Sequence, residues 1–279
     1  MKTLTEIFSN TQAHPQLIHN ITNYVTVNDC ANILLAMGAS PIMADDLEEV
    51  EEITSICDGL VINIGTLNKR TIEAMVAAGK RANALKHPVV LDPVGAGASS
   101  LRTATANRLI ETVRFDVIRG NISEIKTLAQ GAGTTKGVDA DAADAVSAAG
   151  LASAVALAQD LSKKTGAVVA ITGAIDIVAD KSAAYTVENG HPDMSKITGS
   201  GCMLSAMTGA YAAANPKETL MAAVCAVAAM GIAGEKAADQ VSAAGLGTGS
   251  LRTAIIDQIS LMTAEKMAAL ARIKRWDAQ

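Results

Sequence analysis

Thr198-Gly-Ser-Gly-Cys202 stands directly before a long helix-forming stretch. Small residues at such a junction let backbone N–H groups converge on one point, and the positive end of the helix adds to them. Gly199, Ser200 and Gly201 therefore form a candidate anion cradle, suited to the charge that develops on a transferring phosphoryl group. Cys202 lies at the same helix start, where a thiol's pKa tends to fall, whereas a bound phosphate chain would raise it. The competing reading is packing alone, with the two glycines allowing a close helix–sheet approach and Cys202 inert.

A second candidate is Asp92, which closes the apolar run Pro88–Asp92 and is followed by Pro93-Val-Gly-Ala-Gly97. A carboxylate there is costly to desolvate unless a cation or a donor compensates it. One apolar run later comes Arg119-Gly-Asn-Ile-Ser-Glu124. Asn121 with Glu124 three residues on has the spacing of a helix capping box. The same pair, close to Arg119, could also organise Mg2+ and its waters around phosphates. The two readings are compatible, and spacing alone favours the cap.

Ligands of open α/β sheets sit beyond the carboxyl ends of the strands. That rule singles out His19-Asn20, Met43, Asp92, Arg119 and Thr172. There is no G-x-x-x-x-G-K-[ST] motif, and Gly131–Gly137 has the composition without the spacing. Gly95-Ala-Gly-Ala-Ser-Ser100 approaches the dinucleotide fingerprint, with Asp116 about 20 residues on. Its third glycine is a serine, however, and Asp116 opens a strand instead of closing one. A dinucleotide-dependent enzyme is thus a weak alternative. His14, His19, His87 and His191 are scattered, and a lone histidine is more often structural than catalytic.

The elements that must position these residues repeat one pattern, in which a short β-branched run meets a polar tip and then a helical stretch. Strands are expected near residues 16–18, 41–43, 59–65, 88–92 and 115–119. Helices are expected over 25–37, from about 66 to 86, over 100–113 and from 122. Continuous apolar strands alternating with helices imply a parallel sheet covered on both faces. After a loop at Gly131–Asp139 an Ala-rich helix is expected over 140–164. Three short strands at 167–171, 175–179 and 184–188 then read as an antiparallel edge. From Gly199 onward the chain reads as helical, broken at Gly245–Gly249 before a last helix over 250–272. No linker or repeat divides the chain, so residues 1–279 read as one α/β domain, a three-layer sandwich.

Composition narrows the function classes. Hydrophobic residues make up 49% and charged residues 18%, enough for a sizeable core. One Trp, three Tyr and two Phe leave little for base stacking. The net charge of −5 carries no Lys/Arg block, so nucleic acid is not an expected partner. Cys30, Cys57, Cys202 and Cys225 lack metal-binding spacing and read as reduced thiols. The first 16 residues contain no apolar signal core, and Leu220–Gly234 is shorter than the ~20 residues of a membrane span. A soluble cytoplasmic protein is expected.

Leu17-Ile-His-Asn-Ile-Thr-Asn-Tyr24, Val25-Thr-Val-Asn-Asp29, Gly38-Ala-Ser-Pro-Ile-Met-Ala44 and Asn63-Ile-Gly-Thr-Leu67 continue the motif series. With Asp92–Gly97, Arg119–Glu124 and Thr198–Cys202, they make the chain resemble the hydroxyethylthiazole kinase family from about residue 15 to beyond 250. The resemblance implies a ribokinase-like α/β/α fold, mostly parallel with an antiparallel edge. It also implies transfer of the γ-phosphate of ATP, with Mg2+, to the primary hydroxyl of hydroxyethylthiazole. Carried over by position, Met43 and Gly199 would bind the thiazole, Arg119 and Thr172 the ATP, and Asp92 and Glu124 the Mg2+ with its waters. Cys202 would take the place of the Asp general base found in many ribokinase-like enzymes. The resemblance further implies a homotrimer with the substrate site between subunits. Another ribokinase-like small-alcohol kinase is the nearer alternative.

Overall fold

The computed structural model describes residues 2–130 and 150–277. The Gly131–Asp139 loop, and the expected helix before residue 150, lie outside those residues. In chain order the elements begin with α1 (Leu4–Ala13), β1 (Leu17–Ile21), α2 (Val27–Ala36), β2 (Ser40–Met43), α3 (Val50–Ile56) and β3 (Gly59–Asn63). They continue with α4 (Lys69–Leu85), β4 (Val89–Asp92), α5 (Ser100–Thr112), β5 (Val117–Asn121) and α6 (Ile122–Gln130). Then come α7 (Leu151–Thr165), β6 (Val168–Thr172), β7 (Asp176–Ala179) and β8 (Ala184–Val187). The chain ends in α8 (Ser200–Ala214), α9 (Thr219–Ala243), α10 (Thr248–Ser260), α11 (Ala264–Leu270) and β9 (Ile273–Arg275).

The strands form one nine-stranded sheet in the order β2-β1-β3-β4-β5-β6-β7-β8-β9. Pairing is parallel from β2 to β6 and antiparallel from β6 to β9. The apolar strands serve two cores because successive side chains point to opposite faces. Val61, Val90 and Val117 face α1, α2, α8, α9, α10 and α11. Leu60, Ile62, Leu91 and Ile118 face the side of α3 to α7. Both faces are thus covered, and the expected three-layer sandwich with an antiparallel edge is the observed architecture.

Local chemistry sets several helix starts. Asn68 caps α4 by accepting from Arg70 and Thr71 N–H, and Ser99 caps α5 by accepting from Arg102 N–H. The Ala-rich α9 is long and apolar enough to cross a membrane, but 83% of its most apolar window is buried inside the fold. The expectation for the last segment needs correction. Instead of one helix over 250–272 there are two, α10 and α11. Thr263 caps the second by accepting from Lys266 N–H, and the chain then pairs with β8 as β9.

Candidate active site at the carboxyl edge of the sheet

Parallel pairing places the ends of β3, β4, β5 and β6 side by side. Asn63 is in register with Asp92, and Asn121 with Thr172. The start of α8 packs over this edge from one face. Here Asp92 is fully buried. Its Oδ2 accepts from Asn63 Nδ2 at 2.8 Å and from Ser205 Oγ at 2.8 Å. Its Oδ1 accepts no hydrogen bond, and the nearest cation, Arg119 Nη1, stands off at 3.6 Å. Burial pushes the Asp92 carboxyl upward in pKa, against the pull of Arg119, Ser205 and Asn63.

Glu124 belongs to the same crevice. Its Oε2 accepts from Asn121 N–H at 2.8 Å while Asn121 Oδ1 accepts from Glu124 N–H at 2.9 Å, so the expected capping box exists. Its Oε1 accepts from Gly95 N–H at 2.8 Å, which ties the loop after β4 to the start of α6. Burial, reinforced by the nearby charge of Asp92, raises the carboxyl to about 7. Two carboxyl groups facing one half-buried guanidinium leave a surplus of negative charge. An orphaned Asp92 oxygen adds to the demand for a cation. Among the described residues no cluster of three or more acidic, His or Cys side chains gathers to hold a metal. That donor set fits Mg2+, which keeps several waters and shares its ligands with phosphates.

Arg119 is anchored from two sides. Its Nη2 donates to Thr172 Oγ1 at 2.6 Å, and its guanidinium lies against the start of α8. A Cβ on Gly201 would stand only 2.5 Å from Arg119 Nη1, so this glycine makes room for the guanidinium. Gly199, the N-cap of α8, has φ +94°, a left-handed conformation that favours glycine. The Gly199–Gly201 segment and Arg119 thus point to one place, beside Asp92.

Cys202 is half-buried next to them, and its Sγ accepts from Asn23 Nδ2 at 3.2 Å and from Asn63 Nδ2 at 3.3 Å. Of the two opposing influences weighed from sequence, the lowering by the helix start does not prevail, and the pKa of the thiol is raised. Burial raises it first and the charge of Asp92 second, outweighing the lowering from Thr26, Asn23 and Arg119. Asn23, Asn63 and Ser205 are functional candidates that sequence reasoning missed. Asn63 ends an apolar strand just as Asp92 does, so the strand-tip rule could have found it.

Met43 is in register with Asn20 at the ends of β2 and β1. Together with Thr22, Tyr24, Thr66 and Asn68, these residues line a pocket of about 210 Å3. Gly199 is not part of that lining; its own neighbours are Thr26 and Asp29. Asn23, which donates to the Cys202 sulfur, stands in the chain between two lining residues, Thr22 and Tyr24. His19 is not part of the chemistry. It is fully buried, with Nε2 on the Ala44 carbonyl at 2.8 Å and Nδ1 on Thr54 Oγ1 at 2.9 Å. The glycine-rich turn after β4 also has its donors spent. Gly95 N–H goes to Glu124 and Gly97 N–H to Thr103, while Asp116 accepts from Val89 N–H at the opposite strand end. These contacts engage both glycine amides and set Asp116 away from the turn, against the dinucleotide alternative.

Comparison with known proteins agrees with this geometry. The model of the hydroxyethylthiazole kinase family matches residues 8–265. A hydroxyethylthiazole kinase from Clostridium acetobutylicum is 61% identical over 98% of this chain and 100% of its own length. The structure of the hydroxyethylthiazole kinase from Pyrococcus horikoshii superposes with a TM-score of 0.88 at 35% identity, covering 99% of this chain and 100% of that one. A pyridoxal kinase from Staphylococcus aureus, solved with AMP-PCP and pyridoxal, shares the fold with a TM-score of 0.58 at 16% identity, over 80% of this chain and 89% of that one. With the strand-edge constellation, the full-length match and the shared fold in agreement, the chain belongs to the hydroxyethylthiazole kinase family.

Proposed function

We propose that this protein transfers the γ-phosphoryl group of ATP to the primary hydroxyl of 4-methyl-5-(2-hydroxyethyl)thiazole. The observation that carries the reading is the convergence of Asp92, Arg119, Cys202 and the start of α8 beside the Met43 pocket. In-line phosphoryl transfer passes through a loose transition state, so holding and neutralising the phosphoryl group dominates its catalysis. Arg119, steadied by Thr172, supplies a fixed positive charge for the ATP phosphates. The backbone N–H groups of Gly199–Gly201 supply dipoles that need no reorganisation during the reaction. Asp92 and Glu124 would hold Mg2+ and its waters. When bound, the ion neutralises phosphate charge and screens the two carboxylates from each other.

Met43 and Asn20 would line the seat of the thiazole ring, with its hydroxyethyl arm directed past Asn23 to Cys202. As the new O–P bond forms and the bond to the ADP oxygen breaks, the Cys202 thiolate takes the hydroxyl proton and becomes a thiol. A raised pKa makes that thiolate a minor but strongly basic form. Tyr24, which lines the pocket, and its chain neighbour Val25 are exposed apolar side chains, 80% and 57% accessible. Such exposure supports a homotrimer in which a neighbouring subunit completes the substrate site. All four cysteines are free, in keeping with a cytoplasmic protein. The test is ADP release at saturating Mg·ATP with and without hydroxyethylthiazole. Stimulation by the alcohol is expected, and equal rates would refute the reading.

A further inference from the structure

Four amide N–H bonds of two asparagines are all accounted for around one sulfur atom. Asn23 Oδ1 accepts from the backbone N–H and the hydroxyl of Thr26, each at 3.1 Å. A backbone N–H can only donate, so the amide cannot be flipped, and its Nδ2 must point the other way. There its two hydrogens go to Asn63 Oδ1 at 3.0 Å and to Cys202 Sγ at 3.2 Å. Asn63 is locked in the same manner, because its Oδ1 accepts from Gly65 N–H at 2.9 Å. Its Nδ2 hydrogens therefore go to Asp92 Oδ2 at 2.8 Å and to Cys202 Sγ at 3.3 Å. Both asparagines are buried. Neither amide has a spare donor or a second orientation.

Resting on the kinase reading above, we infer that Asn23 and Asn63 are positioning residues that hold the Cys202 sulfur as a hydrogen-bond acceptor, ready to receive the proton of the attacking hydroxyl. Two N–H donors on one sulfur leave no direction on that side for an S–H bond, so the thiol proton must lie away from the asparagines. The same donors strengthen when sulfur carries negative charge, because a hydrogen bond to an ionised group is roughly twice as strong as a neutral one. They offset part of the burial and of the Asp92 charge that act against the thiolate. The lock on each amide comes from backbone N–H groups, so the arrangement is set before substrate arrives. Asn63 also links the sulfur to Asp92, which gives one residue a hold on both the proton acceptor and the metal-side carboxylate.

Asn23 is the cleaner position to test, since it does not touch Asp92. Asn23→Asp keeps an oxygen for the Thr26 N–H and replaces the sulfur's donor by a carboxylate oxygen. The measurement is the pH profile of iodoacetamide alkylation at Cys202, followed by peptide mass mapping on the unliganded protein. The buried Cys30, Cys57 and Cys225 serve as internal references. Loss of one charge-assisted donor should move the Cys202 midpoint upward by about one pH unit, and kcat at neutral pH should fall about tenfold. Asn23→Ser, which shortens the side chain without adding charge, should move the midpoint in the same direction if the Asp variant does not fold. A midpoint unchanged or lowered in the folded variants overturns the inference, whatever happens to kcat. The alkylation readout needs no turnover, so it decides the asparagine role independently of whether the wild-type enzyme phosphorylates the thiazole.

Discussion

Replacing Gly201 by Ala tests the place where helix start and guanidinium meet. The Cβ would stand 2.5 Å from Arg119 Nη1 and 2.8 Å from Nη2, against an ordinary contact of about 3.5 Å. Arg119 must therefore withdraw by about 1 Å, which breaks its 2.6 Å hydrogen bond to Thr172. Misplacement on that scale costs about 10²-fold in a reaction that depends on positioning. Folding is affected far less. Gly201 has no positive φ, and Ala in a helix is favoured over Gly by about 0.5–1 kcal/mol. That gain offsets part of the ~1.5–3 kcal/mol of a hydrogen bond to a charged group. Steady-state kinetics with varied ATP, beside a thermal melt, would read both effects. kcat/KM for ATP should fall about 100-fold in a protein still fully folded at assay temperature. Activity within threefold of wild type, with KM for ATP unchanged, would refute the claim that Gly201 exists to seat Arg119.

Cys202→Ala should lower kcat by about 10²–10⁴, the span of general-base catalysis, and Cys202→Asp should keep substantial activity. A loss below about threefold in the Ala variant would reduce Cys202 to packing. Because the thiol pKa is raised, wild-type kcat should climb with pH through the neutral range, while the Asp variant should be flat there. Glu124 carries the opposite signature for stability. A carboxyl near 7 when folded and near 4.5 when unfolded keeps more protons in the folded state between those values. Stability should therefore fall as pH rises from about 4.5 to 7, by about 3 kcal/mol. Urea unfolding of Glu124→Gln at both ends should show a shallower dependence, with the buried Asp92 and Asp176, also raised, keeping their share; an unchanged slope would contradict the assignment. Light scattering should give three times the 28.5 kDa chain mass. A monomer with full activity at the same concentration would remove the shared-site proposal.

The strands were legible because each is a short apolar run serving two covered faces, as in Val89–Asp92 and Gly59–Asn63. Helix starts were legible where a capping side chain stands before the helix, as at Asn68 and Ser99. β9 was not, because its three residues carry no apolar run and owe their conformation to pairing with β8, 86 residues away at Val187–Ile273 and 90 at Tyr185–Arg275. Asp92 and the Thr198–Cys202 segment could be read from local pattern, since strand tips and helix starts are local features. Asn63, at the tip of an apolar strand, was open to the same rule, whereas Asn23 and Ser205 were not, since each has the look of an ordinary loop or helix residue until the fold brings it to Cys202 or Asp92. The direction of the thiol's shift was left open in sequence for a related reason. A helix start is visible in sequence, whereas burial and the approach of Asp92 are products of tertiary packing.

The central claim is phosphoryl transfer to one particular oxygen, and 31P NMR of the reaction mixture tests it most directly. Enzyme, Mg·ATP and hydroxyethylthiazole together should give a phosphomonoester signal coupled to the methylene protons of the hydroxyethyl arm. That signal should grow in step with ADP and be absent when the alcohol is omitted. ADP accompanied only by inorganic phosphate, or no change in the ATP signals at all, would contradict it.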